Sequence, residues 1–482
     1  MRRLAILLAV ITPCALALGC RTPDPGPALQ IVPDGTVVAR GDAYPATSPI
    51  FDGTAVALAG ARGETLGILV YHRAPGPVAL SLATRAFDVD AAHVTRPSTS
   101  LYGPSRGTGD YPDGLTATAA PTSDPAYFEI DVTGSATGTL TVGGRTIAVA
   151  LAATAAQLPP LPRTVWAYED PRELVWAGNV AGEGWAPSTA ERQCIELFAR
   201  HGVLLSPDLR PEAWPARQAQ FAGFRDVPVI IPDDPAAAGA AVTAWLASLP
   251  ADHAPFAIPI DEPRTPEARR KVRALADAVR AANPDGRFHL AVTDAPDPIY
   301  GDRVDLYISW LAAHRAGDRH ARWTYNGAPP YAGNMVVDAE LPGLRTWGWI
   351  AWRWQIPIWY AWDALYWHDR HNRKGAPLPG RATDPISFDD GEDHGNRDGV
   401  LALPAPGGCR PTLRLAALRR GLQDRQLLEL AAACKPTEAA AVAARLVPRA
   451  LADAGKTASW PSDPAAWELA RRELLALASS CR

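Results

Sequence analysis

The texture of this chain changes sharply at the stiff run Leu158-Pro159-Pro160-Leu161-Pro162, and the stretches on its two sides cannot be built on the same plan. Before it, residues 28–157 are rich in Thr, Val and Gly and carry almost no helical period. The segment from Tyr127 to Val132 alternates in the manner of a strand, and Thr139 to Val142 and Arg145 to Leu151 flank Gly143-Gly144, the mark of a tight hairpin. An N-terminal β-sandwich is expected over 28–157. After the linker, short apolar runs near 165–168, 203–206, 227–231, 256–260, 288–292, 304–310, 322–325 and 356–362 alternate with helical stretches at 189–200, 236–249, 266–282 and 342–354. Val272, Leu275 and Val279 give the third helix a core-facing stripe. Eight such strands predict a central (β/α)8 TIM-like barrel over 163–400. Beyond it, Leu413 to Cys434 and Glu438 to Cys481 are rich in Ala, Leu and Arg, which predicts a short C-terminal helical region over 401–482. A chain of 482 residues exceeds what a single core usually supports, so two or three domains are expected.

One run in the barrel region carries chemistry. Pro255 to Ile260 is apolar and stops abruptly at Asp261 and Glu262, after which Pro263, Thr265 and Pro266 end the strand and begin a helix. That places two carboxylates on the carboxyl edge of the fourth strand, the catalytic face of such barrels. The plainer alternative is an ordinary loop opening, with Asp or Thr capping the helix and Glu solvated. The net charge is −4, with 47 Lys and Arg spread among 51 acids, so no basic track for nucleic acid exists. Sixteen Trp lean towards carbohydrate, since flat aromatic faces suit sugar rings, although core packing is their commoner use. Trp323, Tyr325, Tyr360 and Trp362 fall at expected strand ends, where they could wall a sugar. Trp347, Trp349, Trp352 and Trp354 fall on an expected helix, which favours the core.

Residues 1–19 read as an export signal, with Arg2 and Arg3 before the apolar run 4–11 and Leu16-Ala17-Leu18-Gly19 leading to Cys20. The small residue before Cys20 resembles the bacterial lipobox, which implies lipidation at Cys20, a tether over 20–27 and a membrane-anchored protein of the periplasm, outer membrane or cell surface. Setting Cys14 and Cys20 aside leaves Cys194, Cys409, Cys434 and Cys481, which allow three pairings. Cys434 with Cys481 and Cys194 with Cys409 is one reading, and four free buried thiols is the other. No cysteine spacing suits zinc, and the acidic stretch Asp389, Asp390, Glu392, Asp393, His394 and Asp398 reads as a solvated turn rather than a calcium loop. No metal or cofactor is expected.

Three segments together resemble the catalytic domain of glycoside hydrolase family 123 and a related domain of unknown function. The first is Ile260-Asp261-Glu262-Pro263. The second runs from Trp323-Thr324-Tyr325-Asn326 through Arg345 to Trp349 and Trp352-Arg353-Trp354 to Trp359-Tyr360-Ala361-Trp362. The third joins Arg397-Asp398-Gly399, Pro411 to Arg414 and Leu418 to Asp424. The resemblance spans roughly 260–430 and implies a β-N-acetylgalactosaminidase-like enzyme whose glycan substrate assists its own hydrolysis with retention. It implies Glu262 as general acid/base and Asp261 as the residue that orients the acetamido group and stabilises an oxazolinium-like intermediate. Adjacent acids suit this chemistry, because consecutive side chains cannot flank a glycosidic bond as the usual pair does, about 5 Å or more apart. Arg414, Arg419, Arg420 and Asp424 are expected to tie the C-terminal helix to the barrel through ion pairs. Around Leu401 to Gly408 and at Arg425-Gln426 the chain departs from the family pattern, which leaves galactosamine and glucosamine both open. Two other readings stand beside this one. A strand from Asn334 to Glu340 would make Glu340 the nucleophile of an ordinary retaining pair with Glu262, unless those residues begin a helix before Pro342. A surface glycan-binding lipoprotein without turnover would keep the same cleft.

Overall fold

Strict alternation shapes the front of the chain. Along Arg145–Gln157, Ile147, Val149 and Leu151 point inward between exposed neighbours, and the strand pairs with Ala136–Val142 across Gly143-Gly144. Both turn glycines adopt positive φ, +54° and +74°, which a side chain at either position would strain. One sheet holds Ala55–Arg62, Arg145–Gln157, Ala136–Val142 and Ala79–Leu80, in that order. The other runs Leu29–Pro33, Thr65–His72, Ala126–Asp131, Arg85–Val94 and Gly109–Ala117. Ile31, Ile68 and Phe128 from the second sheet and Leu58, Leu140 and Val149 from the first share one apolar core. This computed structural model describes residues 26–315, 317, 321–339, 342–367 and 387–481, so the expected signal peptide, Cys20 and Glu340 lie outside the described residues.

Eight parallel strands follow the linker: β1 (Val165–Tyr168), β2 (Val203–Ser206), β3 (Asp226–Pro228), β4 (Ala254–Ala257), β5 (His289–Val292), β6 (Leu306–Trp310), β7 (Ala321–Tyr325) and β8 (Trp359–Ala361). Their order is β2-β1-β8-β7-β6-β5-β4-β3, and a parallel bridge from Leu209 to Val229, just past β2 and β3, brings the two ends together. The sheet is therefore a nearly closed, TIM-like barrel. Aromatic rings fill its interior. Trp166 on β1 meets Phe256 on β4 edge-on at 5.0 Å and stacks on Tyr360 of β8 at 4.3 Å, while Phe256 meets Trp323 of β7 at 5.0 Å. Helix Pro266–Ala281 covers the outside, with Val272, Leu275 and Val279 buried, Pro266 in its first turn and the Thr265 side chain accepting from the Ala268 N–H.

Some boundaries differ from the sequence expectation. Strand β4 ends at Ala257, and Ile258 and Ile260 pack against the core from a loop. The helix expected at 342–354 is Thr346–Arg353, preceded by a single 3-10 turn, Gly343–Arg345. Trp347 and Trp349 are fully buried on it, donating to the Gly333 carbonyl and to Asp424. The segment Asn334 to Ala339 is not a barrel strand: Ala339 bridges Ser105 in the loop between Arg85–Val94 and Gly109–Ala117 of the front domain, and Asp338 accepts from Ser98 and Ser105 there. Residues 402–411 form a β-hairpin before the helices Leu413–Cys434, Pro436–Leu446 and Pro464–Ser480. Cys194 is bonded to Cys409 and Cys434 to Cys481.

Helix Leu413–Cys434 is buried along most of its length, and its charges do not chiefly face the barrel as the sequence suggested. Arg414 pairs with Asp113, Arg419 with Glu129 and Arg420 with Glu64, all in the front domain, while Asp424 accepts from Arg345 and Trp349 on the barrel side and Arg414 also donates to the Met335 and Arg397 carbonyls. The reason is register: Arg414, Arg419 and Arg420 face the front domain, and Gly421 leaves room for the barrel helix on another side. A Cβ on Gly421 would lie 2.4 Å from the Arg345 carbonyl oxygen, and one on Gly348 would lie 1.8 Å from that of Gly421. The helix is thus a spine clamped between both units.

Candidate active site

The carboxyl ends of β4 to β8 open into a cleft of about 600 Å³. Each strand contributes at or just beyond its end: Asp261, Glu262 and Arg264 after β4, Thr293 and Asp294 after β5, Trp310 on β6, Tyr325 and Asn326 at β7, and Tyr360 and Trp362 at β8. The cleft is closed on another side by Leu101 and Tyr102, on the 3-10 turn Ser100–Tyr102 that links two strands of the front domain, and by Phe388 and Asp398 from beyond the barrel.

Glu262 has an unusual backbone, with φ of +40°, a region that costs a non-glycine residue on the order of 1–2 kcal/mol. The twist lets two consecutive side chains line one cleft, where an extended strand would send them to opposite faces. It is held by Thr293, whose hydroxyl accepts the Glu262 N–H at 2.7 Å and donates to Asp261 Oδ1 at 2.6 Å. Tyr325 donates its hydroxyl to Glu262 Oε1 at 3.0 Å, and Arg264 pairs with Glu262 Oε2. Asp261 is open to water yet set among protein groups on most sides. That desolvation, followed by the charge of Glu262, pushes its carboxyl above the ordinary value, with the Thr293 hydroxyl pulling the other way. Burial, then the charge of Glu262, raises the Tyr325 phenol and keeps it a donor.

The aromatic residues divide. Trp310 and Tyr325 are 5.3 Å apart and Tyr325 and Tyr360 6.4 Å, so the three line the wall beside Glu262. Trp362 donates its ring N–H to Asp398, as Tyr102 donates its hydroxyl, both at 3.1 Å. Burial raises Asp398 to about 6. Trp323 does not line the cleft: it shares the inward face of β7 with Tyr325 but sits one pleat deeper, 3 % exposed and packed on Phe256. Asn326, at φ +56°, donates its N–H to the Tyr360 carbonyl and accepts the Trp362 N–H on Oδ1, which fixes β7 against β8.

Sequence reasoning passed over Thr293, Trp310, Arg264 and Tyr102. Thr293 carried a usable signal, since it stands where an apolar strand meets polar chain, as Asp261 does, whereas Trp310 runs on into Leu311-Ala312-Ala313 and carried none. Tyr102 had none, because it reaches the cleft from 159 residues earlier than Asp261. Among the described residues, no group of His, Cys, Asp and Glu is placed to hold a metal ion. A larger cavity, about 1180 Å³, lies where the front sheets meet helix Thr189–Arg200, lined by Arg85, Glu129, His201 and Arg419. Arg85 and Arg419 both pair with Glu129 there, and burial, with Arg419 alongside, lowers His201 to about 3. Such a site offers packing rather than proton transfer.

No family model and no curated protein sequence matches this chain. Its fold is that of a barrel with a fitted front domain, and a solved structure of the same kind exists. A family 123 glycoside hydrolase from Clostridium perfringens, studied for the details of glycolipid glycan hydrolysis, superposes with a TM-score of 0.63 over 93 % of this chain and 98 % of that one, at 11 % identity. A GH26-CBM35 β-(1,4)-mannanase from Podospora anserina also aligns, over 69 % and 91 % at 11 % identity, but its TM-score of 0.19 carries no argument.

Proposed function

We propose that the protein is a glycoside hydrolase acting on β-linked N-acetylhexosaminides, N-acetylgalactosamine favoured, by a retaining, substrate-assisted mechanism. The observation that carries this reading is the convergence of Asp261 and Glu262 on one aromatic-walled cleft at the strand ends of the barrel. Glu262 gives a proton to the glycosidic oxygen as the bond to the anomeric carbon breaks. The carbonyl oxygen of the substrate's own acetamido group attacks that carbon, and Asp261 holds the acetamido N–H and offsets the positive charge of the ring that forms. Glu262, now a carboxylate, takes a proton from water as the water oxygen displaces the acetamido oxygen, so two inversions give retention. Tyr325 and Tyr360 bound the sugar, and Trp310 adds an apolar wall.

The pairing of Glu262 with Glu340 has less support, since the segment leading to Glu340 packs against the front domain and the eighth barrel strand is Trp359–Ala361. Hydrolysis of an aryl β-N-acetylhexosaminide, compared with the same glycoside lacking the acetamide, tests the mechanism. Only the first is expected to turn over, and Glu262→Gln is expected to lower its rate about 10²- to 10⁴-fold. Glycan binding by the wild type with no product would make the protein a glycan-binding lipoprotein instead. Equal turnover of both glycosides would remove the acetamido group from the mechanism. Export and lipid attachment at Cys20 belong to the same reading, and incorporation of labelled fatty acid, lost in Cys20→Ser, checks it.

A further inference from the structure

We infer that Thr293 is the positioning residue that gives the two adjacent acids their separate tasks. The inference rests on the glycosidase reading above. A hydroxyl has one proton to donate and lone pairs to accept with. Thr293 sends its proton to Asp261 Oδ1 and takes the Glu262 N–H on its oxygen, forming a relay from the backbone of one acid to the carboxylate of the other. With that proton directed to Asp261 Oδ1, the bond is charge-assisted when Asp261 is ionised, which favours the carboxylate over the acid. The same hydroxyl secures the Glu262 backbone at φ +40°, so one side chain holds both the charge of Asp261 and the direction of Glu262. Thr293 is only 4 % exposed, and water cannot readily replace it.

This matters because the surroundings press Asp261 the other way. Its carboxyl is raised by desolvation and then by Glu262, while Asp208 from the loop after β2, Arg264 on its own loop, Tyr325 on β7 and Tyr360 on β8 also couple to it. A raised carboxyl loses its charge at a higher pH than an ordinary one as the medium is acidified. An Asp261 that must be anionic to face the developing cation therefore sets the acid limb of the pH profile, and Thr293 keeps that limb from rising further.

The test compares Thr293→Val, which keeps the shape and loses the hydroxyl, with Thr293→Ser, which keeps the hydroxyl. For Thr293→Val the acid limb of kcat/KM on an aryl β-N-acetylhexosaminide is expected to move up by about half to one pH unit, less than a fully buried bond would give because Asp261 is open to water. Its kcat is expected to fall about tenfold to a hundredfold, with KM within about threefold, as misplacement of reacting groups predicts. Thr293→Ser should restore the limb and most of kcat. An unmoved limb in Thr293→Val, or equal losses in both variants, would overturn the inference and leave a packing residue. A second measurement needs no turnover: the ¹³C titration of the Asp261 carboxyl, assigned by its disappearance in Asp261→Asn, should shift upward in Thr293→Val and not in Thr293→Ser. If no acetamido glycoside is hydrolysed at all, the glycosidase reading fails, and this titration still decides whether Thr293 sets the charge of Asp261.

Discussion

Glu64 is the residue whose loss should loosen the whole assembly. It lies at the junction of the front sheets with the C-terminal helices and is 0 % exposed. Its Oε1 accepts from Arg420 at 2.9 Å and from Arg471 Nε at 2.8 Å, and its Oε2 accepts from Arg471 Nη2 at 2.6 Å and from the Ala61 N–H at 3.0 Å. Both arginines also reach Glu468, which Arg472 approaches as well at 3.7 Å, so the two buried guanidinium groups share the two buried carboxylates. Glu64→Gln preserves shape and the bond from Ala61 but leaves two guanidinium groups facing one carboxylate. Breaking a buried pair in this way costs about 3–5 kcal/mol, and the retained amide oxygen places this case near the lower end. The control is Glu473→Gln, which removes the partner of Arg445 in a pair whose side chains are 47 % and 60 % exposed and which is worth less than about 1 kcal/mol. Urea unfolding followed by tryptophan fluorescence reads both, because Trp349 and Trp467 lie edge to face at 5.9 Å beside this network. Glu64→Gln should lower the midpoint clearly and separate the front sheets' transition from that of the helices, whereas Glu473→Gln should do neither. Equal, small effects of the two variants would refute the argument that burial makes this network hold the units together.

Other outcomes follow from single contacts. Tyr325→Phe removes the donor to Glu262 Oε1 and should lower kcat about tenfold, with little change in KM, in steady-state assays, as loss of one hydrogen bond that positions the acid predicts. Gly348→Ala would place a methyl 1.8 Å from the Gly421 carbonyl oxygen in the helix crossing. A loss of about 3 kcal/mol or more in unfolding experiments is expected for it, and unchanged stability would mean the two helices do not meet there. Replacing Cys434 and Cys481 together by Ser opens a loop spanning a sequence separation of 47 and should cost roughly 4 kcal/mol by loop-closure entropy, measured against the wild type in chemical denaturation.

The barrel was legible because each of its strands is a local event. Runs such as 165–168 and 203–206 are short, apolar and bounded by polar chain, and they are β1 and β2 residue for residue. Helix Thr189–Arg200 was legible for the same reason: Ser188 and Glu191 form a capping box at its start, and Gly202 follows its end. Legibility failed where a contact across the chain set the outcome. Strand β4 reads as continuing to Ile260, yet its ladder stops at Ala257 and the rest becomes the loop that presents the acids. Trp323 and Tyr325 share one inward face, and only the depth of each in the barrel separates packing from the cleft wall. Asn334 to Ala339 has the composition of a strand, but its partners lie in the front domain more than two hundred residues earlier.

By itself the sequence determined the periodicities: period two before the linker, strand and helix in turn after it, and two carboxylates at the end of an apolar run. These depend on neighbours a few residues apart, and local sterics and solvation suffice to set them. Only the tertiary structure decided which aromatic rings meet the cleft, that Tyr102 of the front domain closes it, that the arginines of the spine helix clasp that domain, and that Thr293 stands between Asp261 and Glu262. Each of these requires side chains distant in sequence to be desolvated together, and that free energy exists only once the chain has closed on itself.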